Sequence, residues 1–201
     1  MNKRMTTPPG KFVWPHLNTP NTRFNEEGVY EVRLQLEEKD PQVAEFLGTL
    51  KGIFDHHYDE ICKEKNKKVK TVSYYKTNND DDNIPEGYVD LKFKMKASGN
   101  NKGESWTQRP AIFDAEGTPM MEGTEESPEK IGAGTIGKIA FEAHPYFVPS
   151  IGAGVSLKLR ACQILELISY SSGGGLDAYG FQKTEGYKTE PNTSTNEYDF
   201  A

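Results

Sequence analysis

Along residues 88–97, YVDLKFKMKA, apolar and polar positions alternate without a break. Successive side chains of an extended chain point to opposite faces. Val89, Leu91, Phe93, Met95 and Ala97 therefore share one side, and Tyr88, Asp90, Lys92, Lys94 and Lys96 share the other. The pattern predicts a strand with one face in the core and a row of lysines outside. That row has two readings: it keeps the outer face of a sheet wet, or it forms a platform for a polyanion.

The same alternation recurs at residues 29–36, where Tyr30, Val32, Leu34 and Leu36 oppose Glu31, Arg33 and Gln35. In residues 137–143, Ile139 and Phe141 point inward and Lys138 and Glu142 outward, and His144-Pro145 ends the run. In residues 152–167, Val155, Leu157, Leu159, Ala161 and Leu165 fall on one face, with Ser156, Lys158 and Arg160 on the other. Shorter strands are predicted at 12–14, where Pro15 interrupts, at 69–76 and at 109–114. Tyr74 and Tyr75 are adjacent, so one is expected in the core and the other exposed. Loops are predicted at 20–28, at 78–87 with Asp80, Asp81 and Asp82, at 98–108 with Lys102 and Trp106, and at the acidic segment 120–130.

One segment changes period. Val43, Phe46, Leu47, Leu50, Ile53, Phe54, His57 and Ile61 recur at spacings of three and four, the stripe of an amphipathic helix. Asp40 is placed to cap its N-terminus, and Pro41 suits the first helical position. Lys63, Lys65, Lys67 and Lys68 crowd the other end, where they complement the helix dipole or contribute to a basic surface.

A chain of 201 residues, 35% hydrophobic, with 19 glycines and 12 prolines, fits one domain with a modest core and many turns. Residues 1–11 read as a flexible arm without the apolar stretch of a secretory leader, 12–170 as the domain, and 171–201 as a disordered acidic tail. No apolar run is long enough to cross a bilayer. Cys62 and Cys162, far apart and outside any CxxC, read as reduced thiols of a cytosolic protein. The net charge of −6 excludes coating of nucleic acid by bulk charge, so the placement of the cations matters.

The chemistry-bearing motifs are few. Residues 132–138, GAGTIGK, satisfy both G-x-G-x-x-G and the start of a phosphate-binding loop. Both motifs need a strand before and a helix after. Here a loop precedes and a strand follows, and Ile139 stands where a magnesium-bearing Ser or Thr is required, so a glycine turn into a strand fits better. His56, His57, Asp59 and Glu60 match no metal-ligand spacing, and the triple aspartate lacks the glycine and distal glutamate of a calcium loop. No catalytic motif is present, and no cofactor is implied.

What remains is a set of cations on outward strand faces, Arg33, Lys92, Lys94, Lys96, Lys138, Lys158 and Arg160. Trp14, Tyr74, Tyr75, Tyr88, Trp106, Phe113 and Tyr146 lie in or near the same strands and loops. Basic grooves follow a phosphate backbone, and aromatic faces stack bases of any sequence. Short strands with Greek-key-like spacing and one long helix fit a mainly β chain, a small barrel like the oligonucleotide-binding (OB) fold. The candidate DNA-binding set is Arg33, Tyr74, Tyr75, Tyr88, Lys92, Lys94, Lys96, Trp106, Arg109, Lys158 and Arg160. The rival is a non-enzymatic protein-interaction module whose basic strand faces are only solvated.

Three stretches, YVDLKFKMKA, RPAIFDAEGTPM and TIGKIAFEAHPYFVPSIGAGVSLKLRACQILEL, together with the acidic-aromatic EYDF near the end, carry a resemblance. The chain resembles bacteriophage-encoded single-stranded-DNA-binding proteins of the replication-protein kind. The resemblance implies an OB barrel and sequence-independent coating of single-stranded DNA in phage replication, recombination and repair, in the cytoplasm of the bacterial host. It also implies self-association as a dimer and a tail, here Glu197, Tyr198, Asp199 and Phe200, that contacts DNA polymerase and helicase/primase. The family's tail ends on Phe; here Ala201 follows it.

Overall fold

The lysine strand lies inside a sheet, with neighbours on both edges. A computed structural model describes residues 4–120 and 131–169. In chain order the elements are β1 (Arg4–Thr6), β2 (Gly10–Asn21), β3 (Val29–Glu37), α1 (Pro41–Lys65), β4 (Tyr75–Lys76), β5 (Tyr88–Lys96), β6 (Ser98–Asn101), β7 (Glu104–Thr107), β8 (Ala111–Phe113), β9 (Ile136–Val148) and β10 (Gly152–Glu166). β6 and β7 form a separate two-stranded hairpin; the other strands make one eight-stranded sheet. β2 pairs with β3, β3 with β5, β5 with β10 and β10 with β9, and β9 returns to β2. The hydrogen-bonded neighbours thus form a closed cycle. Two of its junctions are short: β5 and β10 meet at Phe93–Leu157 and Lys94–Lys158, and β2 and β9 at Gly10–Gly137 and Lys11–Ile136.

The inward residues of the strands make the core. Phe12, Leu34, Leu91, Phe93, Ile139 and Phe141 are fully buried. α1 covers this core with Val43, Phe46 and Leu50, and Phe46 meets Phe141 edge-on at 5.9 Å. Truncating such a ring to alanine costs about 3–5 kcal/mol. The helix starts as its sequence predicts: the Gln42 N–H donates to the Asp40 carboxylate at 2.7 Å. It ends at Asn66, whose φ of 50° turns the chain away. Gly137 is required by packing, because a Cβ there would lie 2.5 Å from the Gln163 carbonyl oxygen and 2.8 Å from the Phe12 ring. GAGTIGK is therefore a turn entering β9, with no helix behind it.

Several boundaries differ from expectation. Residues 4–6, read as part of a flexible arm, pair antiparallel with β9, and the Ile139 N–H donates to the buried Thr7 hydroxyl. Pro15 does not end β2. The strand bulges between Val13 and His16, with Trp14 at φ 47°, and a bulge accommodates the missing proline N–H. Pro145 does not end β9 either. It sits opposite Val155, where β9 has no described partner on its other edge. Of 69–76, only Tyr75–Lys76 is strand, with a bridge from Thr71 to Ala153. Residues 98–108 are a hairpin rather than a loop. Lys102 and Gly103, at φ 52° and 91°, supply the two positive values that a tight type I′ turn requires.

In β10 the register shifts between Leu159 and Ala161. Beyond it Cys162 and Ile164 are buried, and Ala161 and Leu165 are only half-buried, opposite to the simple alternation. The acidic segment 121–130 and the tail 171–201 lie outside the described residues. Among the described residues, no helix is long and apolar enough to cross a membrane.

Candidate nucleic-acid interface

The outer face of β3, β5, β10 and β9 gathers most of the expected cations. Register fixes their ranks. Arg33 of β3 stands opposite Lys92 of β5, and Glu31 opposite Lys94. Lys94 stands beside Lys158 of β10, and Lys158 opposite Glu142 of β9. One rank across the sheet therefore reads Glu31, Lys94, Lys158, Glu142. The inward neighbours of these residues, among them Val32, Phe93 and Leu157, are buried, so the backbone beneath the cations is held by the core.

Most of these cations already face carboxylates. Lys92 lies 2.8 Å from Glu31, Lys94 4.0 Å from the same oxygen, and Lys96 3.5 Å from Glu27. Arg33 meets Asp81 at 3.2 Å. Arg160 donates twice to Glu142, at 3.1 and 3.0 Å, and His144 Nε2 lies 3.2 Å from the same carboxylate. Lys158 has no carboxylate partner among the described residues. The Arg160 hydrogen bonds, followed by that of His144, hold the Glu142 pKa down at about 2. At Glu31 partial burial works upward, but hydrogen bonds from Lys92 and Asn21 and the charges of Lys92 and Lys94 outweigh it, so its pKa is lowered. Burial and the charge of Lys92 depress the pKa of Lys94. The face is thus a set of positioned cations with internal counter-ions, pairs worth about 0–1 kcal/mol each when solvent reaches them. A phosphate can exchange with such a carboxylate.

Two tryptophans border the face. Trp106, about a third exposed at 36%, packs against Gly99 across the hairpin, where a Cβ would come within 2.6 Å of the indole. With Lys94, Lys96, Lys158 and Arg160 it lines one cleft of about 620 Å³, joined by Asn25, Gln108 and Ser156. Trp14 is 56% exposed and carries the Arg33 guanidinium 4.8 Å above its ring. Trp14, His16, Glu31, Arg33 and Lys92 line the adjoining hollow. Flat aromatic rings beside fixed cations suit a ligand with both bases and phosphates.

The structure brings Arg33, Lys92, Lys94, Lys96, Trp106, Lys158 and Arg160 together. Arg109 lines a separate hollow at the base of the hairpin with Glu27, Ser98 and Gln108. Tyr74 and Tyr75 do not face opposite ways. Both are half-buried against the core, their rings 5.3 Å apart, and Tyr74 lies 6.2 Å from Phe54 of α1. Burial raises the Tyr74 pKa accordingly. Tyr88 heads the lysine row but pairs with Glu37 at its far end and lines another hollow with Pro9 and Val43. Glu197, Tyr198, Asp199 and Phe200 lie outside the described residues. Sequence reasoning missed Trp14 as a site residue, because its placement depends on the bulge. It also missed the counter-ions Glu27, Glu31 and Glu142, whose partners come from other strands. Among the described residues, no cluster of three His, Cys, Asp or Glu side chains could hold a metal.

Comparison with known proteins follows the same lines. The family model for the single-stranded DNA-binding protein of bacteriophage T7 matches residues 13–167. The single-stranded DNA-binding protein of Enterobacteria phage T3 is 25% identical over 172 residues, covering 81% of this chain and 72% of that protein. That of Escherichia phage T7 is 26% identical over 171 residues, covering 80% and 71%. The crystal structure of gp2.5, a single-stranded DNA binding protein encoded by bacteriophage T7, superposes with a TM-score of 0.69 at 24% identity, covering 94% of this chain and all of that one. The single-stranded DNA-binding protein of bacteriophage Enc34 in complex with single-stranded DNA superposes with a TM-score of 0.57 at 13% identity, covering 81% and 86%.

Proposed function

The chain belongs to the family of the bacteriophage T7 single-stranded DNA-binding protein, and on that premise we propose that it binds single-stranded DNA without regard to sequence along the outer face of β3, β5 and β10. The observation that carries this reading is the cleft in which Lys94, Lys96, Lys158 and Arg160 converge beside Trp106. Phosphates take the lysines and Arg160, displacing Glu31, Glu27 and Glu142, and bases stack on the indoles of Trp106 and Trp14. Backbone contacts from flexible lysines and flat ring contacts read no base edge, which makes the binding indifferent to sequence. Arg33 and Lys92 extend the track toward Trp14. Arg109 belongs to its rim. Tyr74, Tyr75 and Tyr88 have no part in it.

We read the closed cycle of β2, β3, β5, β10 and β9 as an OB-type barrel, which removes the free edges of its member strands. The protein then coats and protects single-stranded DNA during phage replication in the host cytoplasm. To the tail, through Glu197, Tyr198, Asp199 and Phe200, we assign contact with DNA polymerase and helicase/primase, on its composition and the family resemblance; dimerisation rests on the resemblance alone.

The test is fluorescence anisotropy of labelled oligo-dT over a salt series. Each phosphate contact contributes a slope of about −0.7 to log K against log salt for single strands. Replacing Lys94 and Lys158 by glutamine is expected to flatten the slope by about 1.4 on that basis. Absence of binding at low salt, or an unchanged slope in the double variant, overturns the assignment of this face.

A further inference from the structure

The end of α1 carries charge that the sheet face does not explain. Lys63, Lys67, Lys68 and Lys70 fall within eight residues, all exposed. None of the four has a carboxylate partner among the described residues; the neighbouring Lys65 pairs with Glu64 at 2.7 Å. This is the reverse of the sheet face, where Glu27, Glu31, Asp81 and Glu142 occupy most of the cations. A cation with no internal partner attracts a phosphate without first releasing a carboxylate.

The segment is also fastened to the sheet. Asn66 ends the helix in a left-handed conformation, and the Tyr58 hydroxyl donates to the Val69 carbonyl at 3.4 Å. The Ala153 N–H then donates to the Lys70 carbonyl, and the Val72 N–H to the Ala153 carbonyl, both at 2.8 Å. These bonds lay residues 70–72 parallel to the start of β10. Ala153 is fully buried and points inward. A Cβ on Gly152 would come 3.2 Å from the Lys70 Cβ, so Lys70 sits directly beside the start of β10. Gly152 permits the close approach: its φ is 129°, and a Cβ there would fall 2.6 Å from the Lys70 carbonyl oxygen.

We propose that Lys63, Lys67, Lys68 and Lys70 form a second phosphate-binding track, which continues the sheet face and engages single-stranded DNA that runs past the start of β10. This rests on the reading of the sheet face as the primary DNA site. From Arg160 to Gly152 the face spans about 26 Å at ~3.3 Å per residue. A short oligonucleotide fills that length, and a longer one reaches the helix end. The track therefore makes the salt dependence of binding a function of DNA length.

The experiment compares the full-length chain with its Lys63→Gln/Lys67→Gln/Lys68→Gln/Lys70→Gln variant on oligo-dT of about 6 and about 30 nucleotides, within and beyond the usual site size of one OB fold. Anisotropy is followed over a salt series. On the long oligonucleotide the variant is expected to lose up to about 3 units of salt slope, at ~0.7 per phosphate. On the short one the two proteins are expected to match, which also reports an intact face. Equal slopes on the long oligonucleotide overturn the track. So does the same loss at both lengths, which marks a general field effect. Failure of the unaltered protein to bind either length overturns the primary site as well, whereas failure of the length effect alone leaves that site standing.

Discussion

Glu31 is placed to weaken the binding it sits beside. Its carboxylate holds Lys92 at 2.8 Å and Lys94 at 4.0 Å, and it is 17% exposed. Its lowered pKa keeps it ionised at neutral pH. A phosphate arriving at either lysine must displace it and is repelled by it. Glu31→Gln removes the charge and keeps an oxygen for the Asn21 amide, which now donates to Glu31 at 3.2 Å. Two unit charges 4 Å apart interact by ~1 kcal/mol in water and ~4 kcal/mol at the effective dielectric near a protein surface. Measured pairs of this exposure lie near 1 kcal/mol. Releasing about 1 kcal/mol tightens Kd for oligo-dT about fivefold. The assay is anisotropy at low salt, with Glu45→Gln on the exposed side of α1 as a control for net charge. The gain should shrink at high salt, where screening removes both the attraction and the repulsion. A Kd that is unchanged or weaker in Glu31→Gln, or equal gains in both variants, refutes the idea of an internal counter-ion.

Two further outcomes follow from local geometry. The Glu142 pKa is held at about 2 against an ordinary 4.5, so its pairing stabilises the fold fully above pH 4.5 and is lost as the pH falls toward 2; an acid titration by circular dichroism should find this part of the transition missing in Glu142→Gln, and superimposable curves would show that the Arg160 pair contributes nothing. Gly137→Val should lower Tm by several degrees whether or not nucleotide is present, since overpacking costs about 1–3 kcal/mol and each kcal/mol is worth ~2–4 °C at this size; an unchanged Tm would contradict the close contact with Gln163 and Phe12.

The strands legible in the sequence were those in which parity never changes. β3 and β5 alternate from end to end in sequence, and their inward residues are buried. The exceptions on the outer face are Gln35 and Asp90, which are buried together, with the Gln35 amide donating to the Asp90 carboxylate at 3.1 Å. Parity fails wherever one residue is inserted, and no residue type announces a bulge. Local alternation therefore places Trp14 at the end of a broken strand, and Ala161 and Leu165 inward in place of Cys162 and Ile164. Prolines misled for a related reason: Pro15 and Pro145 break a regular central strand, but a bulge or an unpaired edge tolerates them. The cations of the site were legible because lysine on an outer strand face is visible locally. Their carboxylates were not, since Glu31 and Lys92, or Glu142 and Arg160, become neighbours only through pairing between strands. Tyr74 and Tyr75 escape the expectation because β4 is too short to impose alternation: Tyr74 packs near Phe54 of α1, and Tyr75 packs edge-on against Tyr74.

The short junctions of the strand cycle have a mechanical consequence. β2, β3 and β5 form one well-zipped leaf, β9 and β10 another, and the leaves meet on one side through Phe93–Leu157 and Lys94–Lys158. That hinge line passes beneath the cleft. A polyanion gripping Lys94 on one leaf and Lys158 on the other works as a staple across the joint. A ligand that needs both leaves in place stabilises the closed joint by RT ln(1 + c/Kd) at free concentration c, so resistance to opening along this line rises with the concentration of free polyanion.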